Sequence, residues 1–414
     1  MEQHDVDVVI AGGGLNGPAL ALALAQGGLR VAVVDAEPAR ARADAAFDGR
    51  AYALALASVR LLRAIGVWPQ VAAQAQPMRA VRAAEGHAGE GALPFGLDFD
   101  SAELEEGAVG QMLEDRHLYA AFLAAMEAAP GITLIHRTRV VAQDAGPAGI
   151  AVTLSDGRVL RAGLLVGADG RRSGVAERAG ITRTGWGYGQ TALVCAIEHE
   201  RPHDGVAWQF FMENGPLAIL PLQPGNRSSI VWSESDANAR TIAALDDAGF
   251  LAVLRPRFGD FLGAIRLAGP RFTYPLNLTL ARDYVAPRVA LIGDAAHGVH
   301  PIAGQGLNLG LRDVAALAEV VIEARRRGED FASPLVLDRY QAWRRFDSTA
   351  LALGMDAVNR LFSNGNPLLR AGRNLGMGMV NALGPLRRHF MRTAAGLGKP
   401  LGAPMPRLLM GRAI

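Results

Sequence analysis

Val6-Asp7-Val8-Val9-Ile10-Ala11-Gly12-Gly13-Gly14-Leu15-Asn16-Gly17 opens the readable part of the chain. Val6 to Ala11 reads as a buried strand, and the glycines after it fit G-x-G-x-x-G. An Ala/Leu-rich helix follows to about Gln26, and Arg30 to Asp35 reads as a second buried strand ending in an acid. Each part has a physical task. Gly12 permits a sharp turn, Gly14 lets backbone approach a pyrophosphate, and Gly17 lets the helix pack closely on the strand. The N–H groups at the helix start, with Leu15 and Asn16 leading into it, suit phosphate, and Asp35 suits a ribose hydroxyl. The ordered set predicts a dinucleotide site. An ordinary βαβ turn is the alternative, and the motif does not choose between dinucleotides.

Two later loops narrow the choice. Val159 to Gly167 reads as one strand, followed by Ala168-Asp169-Gly170-Arg171-Arg172-Ser173. Taken alone this favours a plain Asp-Gly turn. Val289 to Ile292 reads as a buried strand that runs into Gly293-Asp294-Ala295-Ala296-His297, then Pro301 and Gly304-Gln305-Gly306-Leu307-Asn308. Leu307, Leu311, Val314, Leu317 and Val321 then recur at helical spacing. Asp294 can hold a ribose or ribityl hydroxyl, and Gly304 and Gly306 let backbone pass close to a flat ring. The start of the helix would face the negative charge that a flavin gains on reduction. Asp294, His297 and His300 recur every three residues, but a fourth ligand is not evident, so no metal site is assigned. The two histidines read as hydrogen-bond partners that fix the loop.

Composition sets outer limits. The chain has 414 residues, half of them apolar and a fifth charged, which fits about two to three globular domains. Cys195 is the single cysteine, so an internal disulfide and a cysteine metal site are excluded. No stretch approaches about 18 uninterrupted apolar residues, and the start lacks the pattern of a secretory signal. The net charge of +2 hides an asymmetry: residues 355–414 hold nine basic residues and one acid, +8, leaving −6 on the rest. Nucleic acid is disfavoured as a partner, because aromatic residues are not interleaved with the basic ones.

The three loops together resemble the group A flavin monooxygenases that share the fold of para-hydroxybenzoate hydroxylase. That family carries an N-terminal G-x-G-x-x-G, a central Asp-Gly and a late Gly-Asp, here Gly12 to Gly17, Asp169-Gly170 and Gly293-Asp294. The resemblance implies an α/β chain: a Rossmann-like FAD-binding domain, an inserted mixed or antiparallel β-sheet substrate domain, and a C-terminal helical tail. It places Asp35 at the adenosine ribose, Asp294 at the ribityl chain, and Leu307 and Asn308 beside the isoalloxazine. It puts Arg50, in Asp48-Gly49-Arg50-Ala51, near the flavin, and Arg116, after Glu114-Asp115, near the FAD phosphates. Pro301, Gly304 and Gln305 form the loop at the flavin face, and no catalytic side chain is assigned. Two departures stand out. Asp35 replaces the family's usual Glu, and Ala176 stands where an arginine normally follows the Asp-Gly motif, with Arg171 or Arg172 as substitutes.

One branch of the family is nearer. His297-Gly298-Val299-His300-Pro301-Ile302-Ala303-Gly304-Gln305-Gly306-Leu307-Asn308-Leu309-Gly310 looks like the ubiquinone-biosynthesis hydroxylases. So do Asn359 to Asn364, Pro367-Leu368-Leu369-Arg370 and Arg387-Arg388-His389-Phe390. The resemblance implies hydroxylation of a polyprenylated phenol by O₂ through a C4a-hydroperoxyflavin, with NAD(P)H or another donor as transient reductant. The alternatives are a hydroxylase of a soluble aromatic, a non-catalytic flavin-binding subunit of a quinone-biosynthesis assembly, and a prenyl reductase.

The expected domains are FAD binding over 1–70, 106–175 and 276–350, substrate binding over 71–105 and 176–275, and a basic helical segment over 351–414. Thr191 to Glu198, Gly205 to Met212, Leu217 to Pro221 and Ser228 to Glu234 read as antiparallel strands roofing the flavin. Trp208, Phe210, Phe211 and Trp232 read as sheet core. The tail mixes Leu361, Phe362, Met377, Met379 and Val380 with arginines, which suits an anionic membrane surface. Packing on the body, a homo-oligomer contact or other quinone-biosynthesis proteins are its other uses. The expected location is cytoplasmic, peripheral at the inner face of the cytoplasmic membrane.

Overall fold

The first sheet follows from the buried, β-branched strands. In the computed structural model, Val8–Ala11 pairs in parallel with Val31–Val34 on one side and Leu164–Gly167 on the other. Ile132–Ile135 and Val289–Leu291 extend it in parallel, and Val285–Ala286 closes one edge antiparallel. All residues of the central strands are buried, as expected for a parallel sheet covered on both faces. The structure describes residues 4–39, 43, 47, 49–87, 91–103, 105, 107–301, 304–363, 376–398 and 404–414. Asp48, Ile302, Ala303 and Lys399, and the tail expectations within 364–375, lie outside them.

The stretch Val159 to Gly167, expected as one strand, is two. Val159–Ala162 pairs antiparallel with Ile150–Leu154 in a separate three-stranded sheet, and only Leu164–Gly167 enters the parallel sheet. Gly163 marks the break, where a Cβ would lie 2.7 Å from the Phe331 ring. The apolar residues on both sides of Gly163 conceal the change of sheet, although Val159 and Arg161 are exposed and Leu164–Gly167 is wholly buried.

The second sheet contains the four strands expected between the second and third loops, here Arg183–His199, Val206–Met212, Gly215–Leu222 and Arg227–Ser235. It also takes in Ala80–His87 and Gly91–Asp100 at one side, and Phe272–Ala281 and His297–Gly298 at the other. Pairing is antiparallel except between Val206–Met212 and Ala80–His87. Helices Asp236–Ala243 and Asp247–Phe258 cover its outer face around Phe210, Trp232, Phe250 and Phe258. Each helix start is fixed by a side chain: Ser235 accepts from Asn238 N–H and Asp246 from Gly249 N–H, caps of the kind worth about 1 kcal/mol each.

Helix Pro334–Phe362 runs unbroken through position 350, and strand Phe272–Ala281 runs through 275, two of the five expected boundaries. The C-terminal residues pack on the body. Helix Gly384–Ala394 buries Met391 against Leu56, Phe99 and Val109. Leu408 and Leu409 enter the main core, about 1.5–3 kcal/mol for each such side chain. Arg387 pairs with Glu103, and Arg407 with Glu319 and Glu323. These two of the tail's positive charges thus face acids of the body.

Candidate functional site

The registers level the strand ends. Ala11 lies opposite Val34 and Gly167, and Gly167 opposite Leu291. Gly12, Asp35, Asp169 and Gly293 therefore leave the sheet from one carboxyl edge, where open α/β sheets bind ligands.

The first loop is built by close approach. Gly12 has φ +113°, and a Cβ there would overlap the Ala168 carbonyl, so the first and second loops touch through backbone. A Cβ on Gly17 would overlap the Gly12 carbonyl, which brings helix Asn16–Gln26 against the strand end as the motif requires. Gly13 lies against the Asp35 carboxylate, whose Oδ1 accepts from Glu37 N–H at 2.9 Å. Gly14 is half-buried and Leu15 buried. The Asn16 amide sits between Gly293 and Gly310, where a Cβ on either glycine would overlap it. That side chain joins the first loop to the third.

In the second loop Asp169 Oδ2 accepts from Val175 N–H at 3.1 Å, and Ser173 Oγ from Ala176 N–H at 3.0 Å. Both cap the short helix Gly174–Arg178. Gly170 takes φ +79°, and a Cβ there would meet nothing within 4 Å. Of the two arginines offered as substitutes, Arg171 reaches the third loop. Its Nε lies 3.2 Å from Asp294 Oδ2, its Nη1 donates to Asn277 Oδ1 and its Nη2 to Val299 O.

In the third loop Gly304 is left-handed, φ +62°, and a Cβ would lie 2.8 Å from Ala53 Cβ. Its N–H donates to Pro301 O at 3.0 Å. Helix Gln305–Arg326 then begins without a side-chain cap. Pro301, Gln305, Gly306 and Leu307 are half-buried. Asn308, expected beside a ring, commits its amide to protein: Oδ1 accepts from Ala55 N–H and Ser58 Oγ–H, and Nδ2 donates to Ala53 O and Gly304 O. It clamps strand Ala51–Ala55 to the loop.

The expected arginines lie together at the start of helix Asp115–Ala128. Arg50 Nη2 is 3.9 Å from Asp115 Oδ2, and its guanidinium is 5.9 Å from the Phe272 ring. Arg116 Nε donates to Glu114 at 2.7 Å and lies over Phe47, as does Arg227. Both loop histidines are buried. His300 packs edge-on to Tyr188 with ring centroids 5.1 Å apart. Burial, with the Arg171 charge second, lowers its pKa to about 4.

Buried charges beneath the third loop lie outside the motifs legible in the sequence. Asp313 accepts from Gly293 N–H, faces His297 Nε2 at 2.5 Å and accepts from Arg344 Nε at 2.8 Å. Burial pushes its carboxyl up, and His297 and Arg344 outweigh that, holding it below the ordinary carboxylate range. Arg344 also meets Asp347 and Ser348. The signal was available, since Asp313 falls on the apolar face of its helix beside Val314 and Leu317. Among the described residues no cluster of histidine, cysteine and acid side chains could hold a metal.

FAD fits these residues on observations of the site itself. Asp35 and Asp294 stand at strand ends with carboxylates half-buried or partly exposed. Gly13 lies against the Asp35 carboxylate, Gly293 precedes Asp294, and a Cβ on Gly306 would meet nothing within 4 Å. Comparison with known proteins agrees. Residues 5–352 match the family described as FAD binding domain. The chain is 47% identical over 405 residues to the ubiquinone hydroxylase UbiL of Rhodospirillum rubrum, covering 98% of this chain and 92% of that one. It is 40% identical over 400 residues to the 3-demethoxyubiquinol 3-hydroxylase of Escherichia coli, covering 96% and 100%. Among solved structures, p-nitrophenol 4-monooxygenase of Pseudomonas putida superposes with TM-score 0.78 over 95% of this chain and 98% of that one, at 22% identity, and shares its fold.

Proposed function

The chain belongs to the FAD binding domain family, and from that premise we propose that it hydroxylates the aromatic ring of a polyprenylated phenol in ubiquinone biosynthesis. It is an FAD-dependent monooxygenase. The observation that carries the reading is the convergence of three glycine loops on one sheet edge, with Asp35 and Asp294 at opposite ends and open space at Gly306. The substrate class rests on the two hydroxylase relatives, which the chain matches over nearly its full length.

Bound FAD, once reduced by NAD(P)H or another donor, supplies the activation of O₂ and the transfer of one oxygen atom to the ring. The chain binds, orients and excludes water. Asp35 would accept from a ribose, and Asp294 from the ribityl chain. The start of helix Gln305–Arg326, the positive end of its dipole, would stabilise negative charge on the ring it faces. Arg50, held by Asp115, would lie near the flavin, and Arg116, held by Glu114, near the FAD phosphates. The second sheet covers the loops, and Ser229 Oγ donates to Gly49 O at 3.1 Å to tie the two parts together.

A polyprenyl tail must reach the site from an apolar phase, and the C-terminal segment supports a peripheral position at the inner face of the cytoplasmic membrane. Met379, Leu383, Leu386 and Phe390 are all exposed, in a segment without acids after Asp356. Among the described residues no helix is long and apolar enough to cross a membrane. Flotation with vesicles of mixed neutral and anionic lipid should carry the protein upward, and L386D/F390D should leave it behind. Deletion of the gene, read by mass spectrometry of the lipid extract, tests the function. Loss of ubiquinone with build-up of an under-hydroxylated polyprenyl intermediate supports it. An unchanged quinone pool in a host lacking a second hydroxylase contradicts it.

A further inference from the structure

Asp313 has no exposed surface, yet it is ionised and lies directly beneath the loop that carries Asp294. Its two oxygens are divided between tasks. Oδ2 meets Gly293 N–H at 3.0 Å and His297 Nε2 at 2.5 Å; Oδ1 meets Arg344 Nε at 2.8 Å. Gly293 opens the tight turn Gly293–Ala295, and His297 is the first residue of the strand after it. One carboxylate oxygen therefore grips both sides of the turn, and the other fastens it to helix Pro334–Phe362. Asp294 lies inside that grip, with its own side chain 41% exposed.

Asp313 and Asp347 oppose Arg344 and Arg312, which lies 3.4 Å from Asp347. The His297 ring is wholly buried, and its Nδ1 has no hydrogen-bond partner among the described residues. A bare Nδ1 assigns the proton to Nε2, so the ring donates to Asp313. His297 also begins the short strand that pairs with Thr279 and Leu280 of the second sheet. An apolar side chain at position 313 would pack the same helix seam without a buried charge, but it would not tie the two sides of a turn together.

We propose that Asp313 and His297 are positioning residues for the flavin: they hold the Gly293–Ala295 turn so that Asp294 meets the ribityl chain. This rests on the FAD reading above. The test uses the full chain, depleted of FAD and titrated with FAD, read by flavin fluorescence quenching and by the fine structure of the bound flavin's visible band. His297→Leu removes the donor. His297→Gln keeps a side-chain N–H. Leu254→Ala, in the helix behind the second sheet, lowers stability far from the turn.

The expected result is FAD affinity about tenfold weaker in H297L, with a blurred visible band, and recovery to within about twofold in H297Q. L254A should leave affinity and spectrum unchanged while lowering the melting temperature. Wild-type affinity and spectrum in H297L overturn the proposal. So does an equal loss in L254A, which would mark the effect as general loosening, and so does failure of H297Q to recover. A wild-type chain that takes up no FAD overturns the FAD reading and this proposal together, a result distinct from all three.

Discussion

Arg171 Nε lies 3.2 Å from Asp294 Oδ2, joining the second and third loops across 123 residues of sequence. The same guanidinium reaches Asn277 in the second sheet and the Val299 carbonyl, two residues before Pro301. Its own carbonyl accepts from Arg183 at 2.7 Å. Ala176 removes the arginine that usually follows the Asp-Gly motif, and Arg171 supplies a cation to the loop from inside the motif. Both partners are more than a third exposed, so the pair itself adds little to stability. Its value is the fork geometry that meets three acceptors at once.

Replacing Arg171 should therefore separate binding from stability. R171A should change unfolding free energy by no more than about 1 kcal/mol and weaken FAD retention during gel filtration. R171K should not restore retention, because an ammonium lacks the planar fork. Denaturant melts and flavin content measure both; full retention in R171A would show that Asp294 needs no partner.

Two neighbouring glycines should respond in opposite ways. Gly304 is left-handed and a Cβ would press on Ala53, so G304A should lose about 1–2 kcal/mol from backbone strain alone. At Gly306 a Cβ meets nothing within 4 Å, and helix propensity favours a larger residue. G306L should melt at or above wild type without FAD and take up little FAD. Normal uptake by G306L would mean that the ring lies elsewhere.

Arg344 is 2% exposed and holds Asp313 and Asp347. R344M keeps the bulk and leaves Asp313 without its cation. The cost should be about 3–5 kcal/mol, the range for breaking a buried pair. Urea denaturation measures it, and a change below about 1 kcal/mol would show that the surroundings re-solvate the carboxylate.

His300 should make the protein acid-sensitive. Burial first, and the Arg171 charge second, hold its pKa at about 4 in the folded state against an ordinary 6.5. Above pH 6.5 the ring is neutral in both states and contributes nothing. As pH falls from 6.5 to 4 the unfolded chain gains a proton that the folded chain refuses, and stability drops by up to about 3 kcal/mol. H300Q should flatten this limb in denaturant melts at pH 7 and pH 4.5. An unchanged slope would place the acid sensitivity in other groups.

Much of this was legible in the sequence. Gly12, Gly17 and Asp35 announced themselves because a phosphate-binding turn tolerates few side chains and the motif records that intolerance locally. The strands of the second sheet were legible from alternation and turns. Contacts between distant segments were not. Nothing local says that Asn16 lies between Gly293 and Gly310, or that Asn308 spends its amide on Ala53, Ala55 and Gly304 instead of facing open space. Asp313 left a trace, an acid on an apolar helix face, but its partners Gly293, His297 and Arg344 come from three other elements. The break at Gly163 was invisible because strands in two different sheets can share one hydrophobic run.

Oxygen transfer to a prenylated ring is open to measurement. Purified protein loaded with FAD, given NADPH, ¹⁸O₂ and a short-chain prenylated phenol in lipid vesicles, tests it directly by mass spectrometry. The expected product carries one ¹⁸O atom on the aromatic ring and forms only with FAD and reductant present. Reductant consumption that yields hydrogen peroxide and an unaltered phenol, across prenylated phenols of differing ring substitution, would contradict it.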